Sequence, residues 1–299
     1  MASPTPSTRA LSPPTPRSKS ASASTTPATA PAPPTPQGPI SVLPSQFAQI
    51  YSLTHPALLL SFVAYKFPAV IENPVTELLN AIPYLVGLQV VYVMGCLPPT
   101  GGEKESVGSE KKTSAGAGGP RRRGKSTAGG ANWSSNLVFV VWKLTPALLS
   151  LTLTALLATP ILTILLILFG APFTTHHVLT ILCASHMALL SAFPLIYVHG
   201  VDGSVWKEIW GANRPFDALW GGALGTCLGA WFGAVPIPLD WDRPWQAYPI
   251  TILTGAYLGF CAGMLLGRVK GVYGKRIDFV PQSAKEEIAK EESEHAKAE

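Results

Sequence analysis

Six long apolar runs, separated by polar segments, leave this 299-residue chain few choices of fold. Each run is close to the roughly 20 residues of helix that cross the hydrocarbon core of a bilayer. Backbone amides inside lipid must find hydrogen-bond partners within their own segment, so we expect the runs to be helical. The sequence therefore predicts an all-α fold, a polytopic membrane helix bundle with about six transmembrane helices. The predicted helices cover residues 53–71, 78–97, 144–169, 178–198, 218–237 and 248–266.

The composition agrees with a membrane protein and argues against a soluble enzyme. Hydrophobic residues make up 47% of the chain and charged residues only 13%, whereas a typical soluble domain is about 25% charged. The net charge of +5 does not indicate a nucleic-acid binder, because the basic residues lie in short clusters between apolar runs and form no platform with aromatic side chains. We therefore expect no nucleic-acid partner.

Three polar segments flank or interrupt the membrane domain, which we assign to residues 46–270. Residues 1–45 are rich in Pro, Ser, Thr and Ala. We predict a disordered tail there, because this composition buries too little apolar surface to offset the entropy of ordering. Residues 98–136 are rich in Gly, Ser and charge and are predicted to form a flexible loop. Residues 271–299 form a charged C-terminal tail.

The distribution of Lys and Arg predicts the orientation of the bundle. Six crossings place both termini on one side of the membrane, together with the 98–143 and 199–217 segments. That side holds 20 of the 22 Lys and Arg residues, and the opposite side holds only Lys66 and Arg243. Because positively charged loops tend to remain in the cytoplasm, we predict cytoplasmic termini and a lumenal loop over residues 236–249.

Glycine recurs at every fourth position in each of the last two predicted helices. Residues four apart lie on one face of a helix, and a face without side chains lets two helix backbones approach closely. We predict that these two helices form a tight hairpin through their glycine faces; a partner helix packed on one of the faces is the alternative. The packing residues are Gly221, Gly225, Gly229, Gly233, Gly255, Gly259, Gly263 and Gly267.

The loop between these two helices is the most unusual polar segment of the chain. Two carboxylates flank a Trp, an Arg follows, and prolines stiffen both ends. An acid–base pair or a metal site is one interpretation; a structural loop with Trp side chains at the membrane surface is another. We favour a structural loop that contacts a partner or lipid. The candidate residues are Asp240, Trp241, Asp242, Arg243, Pro244, Trp245 and Gln246.

No complete set of catalytic or metal-binding residues stands out in the sequence. His177 begins the fourth predicted helix and His186 lies within it, at a spacing that does not suit chelation on one helix. Lys66 lies near the end of the first helix, where its ammonium group can reach the membrane surface. We therefore expect no catalytic residue, no metal and no cofactor.

Three stretches of the second half are distinctive: FGAPF at residues 169–173, the Ala-, Ser- and Pro-bearing helix that follows, and GAWFGAVPIPLDWDRPWQAYPITILTGAYLG at residues 229–259. Through these stretches the chain resembles the PIG-F family of glycosylphosphatidylinositol (GPI) anchor biosynthesis, in its fungal form. The resemblance extends over about residues 50–270. The last of these stretches is long and specific.

The resemblance implies a multi-pass protein of the endoplasmic reticulum membrane that assists a large ethanolamine-phosphate transferase and is not itself catalytic. That partner adds phosphoethanolamine to mannose of the GPI precursor, and membrane lipid or the precursor is a further candidate ligand. Two alternatives stay open. The chain could itself be a lumenal metal-assisted transferase that uses Asp240, Asp242 and His177, or it could be a lipid transporter or scramblase.

Overall fold

The computed structural model describes residues 38–100, 131–239 and 242–276. Within these ranges the regular secondary structure is helical and no strand is present, which confirms the predicted all-α class. The predicted tail (1–45), loop (98–136) and C-terminal segment (271–299) extend beyond these ranges. Their predicted disorder and flexibility therefore stay predictions.

The described helices include enough long apolar segments to build a membrane domain. Five helical stretches are long and apolar enough to cross a membrane, and Ile250–Leu266, with 17 residues, is a shorter apolar helix of about 26 Å. In chain order the α-helices are α1 (Gln46–Glu72), α2 (Pro74–Cys96), α3 (Ala131–Leu153), α4 (Thr159–Leu168), α5 (His177–His199), α6 (Gly203–Trp210), α7 (Ala218–Ala234) and α8 (Ile250–Leu266).

Caps and prolines explain why some helix ends differ from the ends of the apolar runs. α1 begins at Gln46 rather than near residue 53, because the Ser45 hydroxyl accepts a hydrogen bond from the Ala48 N–H and caps a first turn outside the apolar run. α7 ends at Ala234 rather than near residue 237, because Pro236 follows closely and has no N–H with which to continue the helix.

The third apolar run forms one helical rod, α3 and α4, joined by a π-helical turn. The described part of the rod begins at Ala131, inside the segment predicted as a loop. Pro160 lacks an N–H and its ring crowds the preceding turn. The π-helical turn Thr154–Ala158 ends two residues before Pro160 and widens the helix where that crowding occurs. The rod is therefore continuous through both Pro146 and Pro160.

α5 is the central helix of the bundle. It packs against α2, α4 and α7 and also contacts α3 and α8, and 83% of its membrane-length window is buried inside the protein. The corresponding window of the α3–α4 rod is only 17% buried. This rod therefore presents most of its surface outward, with exposed apolar side chains such as Leu148, Leu156 and Ile164.

The loops fall into two groups at opposite ends of the bundle. At one end the Leu43 N–H donates to the Cys96 carbonyl (2.9 Å) and the Thr100 N–H donates to the Tyr197 carbonyl (3.1 Å). At the other end the Tyr248 hydroxyl donates to the Thr180 hydroxyl (3.0 Å), which links the α7–α8 loop to the start of α5. The first group contains the segments predicted to be cytoplasmic and the second those predicted to be lumenal. The orientation itself stays a prediction.

Candidate functional site

α7 and α8 form an antiparallel hairpin in which the two glycine series face each other. A Cβ atom added to any of the eight glycines would overlap a backbone carbonyl oxygen across the contact. No other pair of described helices packs as extensively. The two faces cover each other, so a partner helix would have to dock elsewhere. The facing pairs are Gly221 with Gly263, Gly225 with Gly259, and Gly229 with Gly255, while Gly233 meets Thr251 and Gly267 meets Asp217.

One glutamine side chain braces the loop that joins α7 to α8. Gln246 is buried. Its Nε2 donates to the Pro236 carbonyl (2.8 Å) and its Oε1 accepts from the Arg243 N–H (3.3 Å). These two bonds connect the two halves of the loop through a single side chain. Gln246 therefore positions the loop rather than presenting itself to a ligand.

The other loop residues that the sequence singled out lie mostly at the surface. Asp242, Arg243 and Pro244 are exposed. Asp242 adopts a left-handed φ of 51°, a conformation that strains a residue other than glycine. Trp245 is partly buried and lines a groove beside the hairpin. Asp240 and Trp241 lie outside the described residues.

A groove of about 500 Å³ runs beside the hairpin. Four large side chains line it, Phe67 from α1, Phe232 from α7, Leu258 from α8 and Trp245 from the α7–α8 loop. Thr251 lies near the end of the groove closest to that loop. Four glycines leave part of its lining without side chains, so the repeat that allows the hairpin to close also contributes to the groove. These glycines are Gly229, Gly233, Gly255 and Gly259.

An ion pair lies next to this groove. Lys66 of α1 and Glu77 of α2 approach to 2.8 Å between Nζ and Oε2, and their side chains are 23% and 21% exposed. Lys66 also lines a small cavity of about 40 Å³ together with Phe67 and Thr254, two residues that line the groove as well. Sequence reasoning considered Lys66 alone. Because only Asn73 separates α1 from α2, opposite charges on either side of this turn were the signal that could have identified the pair.

Both ring nitrogens of His186 have hydrogen-bond partners on neighbouring helices. His177 does not lie near His186. The His186 Nε2 lies 3.0 Å from the Leu78 carbonyl and its Nδ1 lies 2.8 Å from the Tyr257 hydroxyl. Since a carbonyl only accepts, Nε2 carries the proton and Nδ1 accepts from the tyrosine. His177 is exposed at the start of α5. In the described ranges no three His, Cys, Asp or Glu side chains come together to hold a metal ion.

Two buried charges lie at the opposite end of the bundle, and the sequence analysis did not single them out. Asp217 and Arg214 are fully buried. The Asp217 carboxylate accepts from the Trp220 N–H (2.7 Å) and from the Ile40 N–H (2.9 Å). Burial raises the pKa of Asp217 and lowers the pKa of Arg214. An Asp directly before an apolar run is a helix N-cap signal, and here the cap also ties the segment before α1 to the start of α7.

The chain matches a family model over nearly all of the membrane domain. The model describes the GPI biosynthesis protein family Pig-F and matches residues 54–268. The matched range includes the hairpin, its loop, the groove and the ion pair.

Individual relatives extend from fungi to humans. A protein of Aspergillus fumigatus named glycosylphosphatidylinositol anchor biosynthesis protein 11 is 52% identical over 267 residues, 82% of this chain and 87% of its own length. A Neurospora crassa protein of the same name is 42% identical and covers 77% of this chain and 78% of its own length. A human protein named GPI ethanolamine phosphate transferase, stabilizing subunit, is 32% identical over 34% of this chain and 49% of its own length. No solved structure matches the chain.

Proposed function

The chain belongs to the GPI biosynthesis protein family Pig-F, and from this we propose that it is an accessory membrane subunit that stabilises a GPI ethanolamine phosphate transferase in the endoplasmic reticulum. The observation that carries the proposal is the family match over residues 54–268, joined to a human relative whose name describes the stabilizing subunit of such a transferase. The partner is the large transferase subunit that adds phosphoethanolamine to the GPI precursor. The chain itself contributes binding rather than catalysis.

The outward surface of the bundle supports a role that depends on contacts within the membrane. Leu228 and Trp231 of α7 and Val235, which directly follows α7, are exposed and lie three or four residues apart, so they form one apolar stripe. The stripe ends at the loop that Gln246 braces. We propose that the stripe and the loop residues Asp240, Trp241, Asp242, Arg243, Pro244 and Trp245 contact the transferase. The buried Gln246 and the glycine hairpin hold both surfaces in place.

Depletion of the chain in cells tests the stabilising role. We expect the amount of transferase, measured by immunoblot, to fall severalfold, and GPI precursors that lack ethanolamine phosphate to accumulate. Expression of the wild-type chain should restore the amount of transferase and remove the accumulated precursors. Normal transferase abundance and normal precursors in depleted cells would contradict the proposal, and ethanolamine phosphate transfer by the purified chain alone would identify it as an enzyme.

A pair of matched substitutions tests the proposed contact surface. Trp231→Ala removes the largest side chain of the α7 stripe, and we expect it to reduce co-purification with the transferase in mild detergent. Leu156→Ala removes a side chain that is also well exposed, at 78% against 59% for Trp231, but lies on the α3–α4 rod. We expect this control to co-purify normally. Equal recovery with both variants would exclude the stripe as the contact.

A further inference from the structure

We infer that the Lys66–Glu77 ion pair and the groove beside the hairpin form a binding site for one phospholipid whose headgroup carries both a phosphate and a primary ammonium group. This inference goes beyond the stabilising role and does not depend on it. Nothing in the comparisons assigns a lipid site to these residues. The inference depends on three features: the two charges, the apolar groove next to them, and an unpaired hydroxyl within the groove.

The ion pair matches a headgroup that has both signs of charge. Lys66 and Glu77 neutralise each other at 2.8 Å, and each side chain keeps about a fifth of its surface exposed. If a zwitterionic headgroup approaches, its phosphate can pair with Lys66 and its ammonium with Glu77. Every charge then keeps a partner in a setting where an unpaired charge is costly. An anionic headgroup would engage Lys66 and leave Glu77 without a cation.

The carboxylate also distinguishes between zwitterionic headgroups. An ionised carboxylate can only accept hydrogen bonds. A primary ammonium group donates three, whereas a quaternary ammonium group has no N–H to donate. Glu77 therefore favours ethanolamine over choline headgroups, because only an ethanolamine headgroup can replace the hydrogen bond that the Lys66 ammonium now donates to Glu77.

The groove offers space for an acyl chain beside this pair. Phe67 and Thr254 line both the cavity at Lys66 and the groove, so the two spaces are neighbours. The α8 residues that line the groove run from Thr251 to Ala262, which spans about 16 Å along the helix axis. The groove is thus long enough for a substantial part of an acyl chain to lie along it.

A buried hydroxyl in the groove favours a glycerolipid as the occupant. Thr251 is 8% exposed, and its Oγ1 has no hydrogen-bond partner among the described residues. A buried hydroxyl without a partner lowers stability. An ester carbonyl near the headgroup of a glycerophospholipid can accept this hydrogen bond. An apolar partner helix offers no such acceptor on its side chains.

The first test uses the wild-type full chain, purified alone in detergent. Native mass spectrometry would measure bound lipid after incubation with equal amounts of phosphatidylethanolamine and its mono-, di- and trimethylated forms, with phosphatidylglycerol as the anionic arm. We expect retention to fall as N–H groups are lost, by about fivefold between the ethanolamine and choline forms, the ratio that one hydrogen bond of ordinary net strength gives. Equal retention across the methylated series, or preference for phosphatidylglycerol, would overturn the inference.

Three substitutions locate the site, and a fourth is the matched control. Glu77→Gln should remove the preference for ethanolamine over choline, Lys66→Gln should weaken both, and Ala262→Trp should exclude both by filling the groove at an exposed position. Lys143→Gln removes a charge from the first half of the α3–α4 rod, outside the site, and this variant should bind lipid as the wild type does. A Glu77→Gln chain that keeps the wild-type preference would overturn the inference.

One comparison separates this site from the stabilising role. We expect Glu77→Gln cells to keep normal transferase abundance while the purified variant loses its lipid preference. If Ala262→Trp leaves lipid retention unchanged and abolishes co-purification with the transferase, the groove holds a partner helix and the lipid inference is wrong. Because the methylation series uses the wild-type chain alone, its result stands whether or not the transferase proposal holds.

Discussion

Buried polar side chains join parts of this chain that are far apart in sequence. Asp217 connects the start of α7 to Ile40, 177 residues away. His186 contacts both Leu78 of α2 and Tyr257 of α8. Apolar surfaces give little driving force for helix association when the surroundings are also apolar, so hydrogen bonds of this kind carry more of the specificity. Individual polar residues therefore decide how neighbouring helices are aligned.

Replacement of Asp217 by Ala should destabilise the bundle. The change removes the acceptor for the Trp220 and Ile40 N–H groups and leaves both donors in a buried setting. We expect a loss of about 1–3 kcal/mol in the free energy of unfolding, measured in detergent as a lower Tm. Asp217→Asn should lose less, because its amide oxygen can still accept one of the two bonds.

The matched control for this prediction is Ser45→Ala. Ser45 also caps a helix, with its hydroxyl accepting from the Ala48 N–H, but it is exposed and joins no second segment. Loss of a cap of this kind typically costs about 1 kcal/mol. If the two alanine variants lower Tm equally, the connection from Asp217 to Ile40 adds nothing to stability.

The α7–α8 hairpin is the element whose packing follows most directly from the sequence. An i+4 glycine repeat indicates which face of a helix has no side chains. When two consecutive antiparallel helices each carry such a repeat, only one register lets the two glycine faces pack against each other. In the structure the pairs Gly225–Gly259 and Gly229–Gly255 keep that register along the contact. The hairpin can therefore serve as a rigid support for its loop and for the groove beside it.

Replacement of Gly259 by Leu should prevent the hairpin from closing. A Cβ atom at this position overlaps the carbonyl oxygen of Gly225, and backbone cannot turn aside as a flexible side chain can. We expect a loss of about 3 kcal/mol or more, seen as little monodisperse protein by size-exclusion chromatography. Gly87→Leu in α2 is the control, because a Cβ there meets nothing within 4 Å. Leu favours helix over Gly by several tenths of a kcal/mol, so Gly87→Leu should fold as well as the wild type, and a similar yield of both variants would contradict the prediction.

At the scale of the whole molecule, the sequence predicts helix class and approximate helix positions better than it predicts the arrangement of helices. An apolar run that is long enough to cross a bilayer as a helix can adopt no other secondary structure there. The run that forms α5 was predicted to within one residue at each end. Opposite charges on either side of the Asn73 turn make a Lys66–Glu77 pair possible, but whether the two side chains meet depends on how α1 and α2 are rotated about their axes. An apolar pattern that surrounds most of a helix does not record that rotation. The central position of α5 depends on packing across the whole bundle, and the apolar pattern of a single helix does not predict it.

The orientation of the bundle is the property of the whole molecule that the charges predict most strongly. With 20 of the 22 Lys and Arg on one side, we expect epitope tags at the N-terminus and within residues 101–130 to be accessible to antibody after selective permeabilisation of the plasma membrane. A tag beside Trp241 should become accessible only after the endoplasmic reticulum membrane is dissolved. If the Trp241 tag is accessible first, the bundle is inverted, and the Lys66–Glu77 pair then lies at the cytoplasmic leaflet. The lipid site would keep its chemistry in that case but would draw its ligand from the opposite side of the membrane.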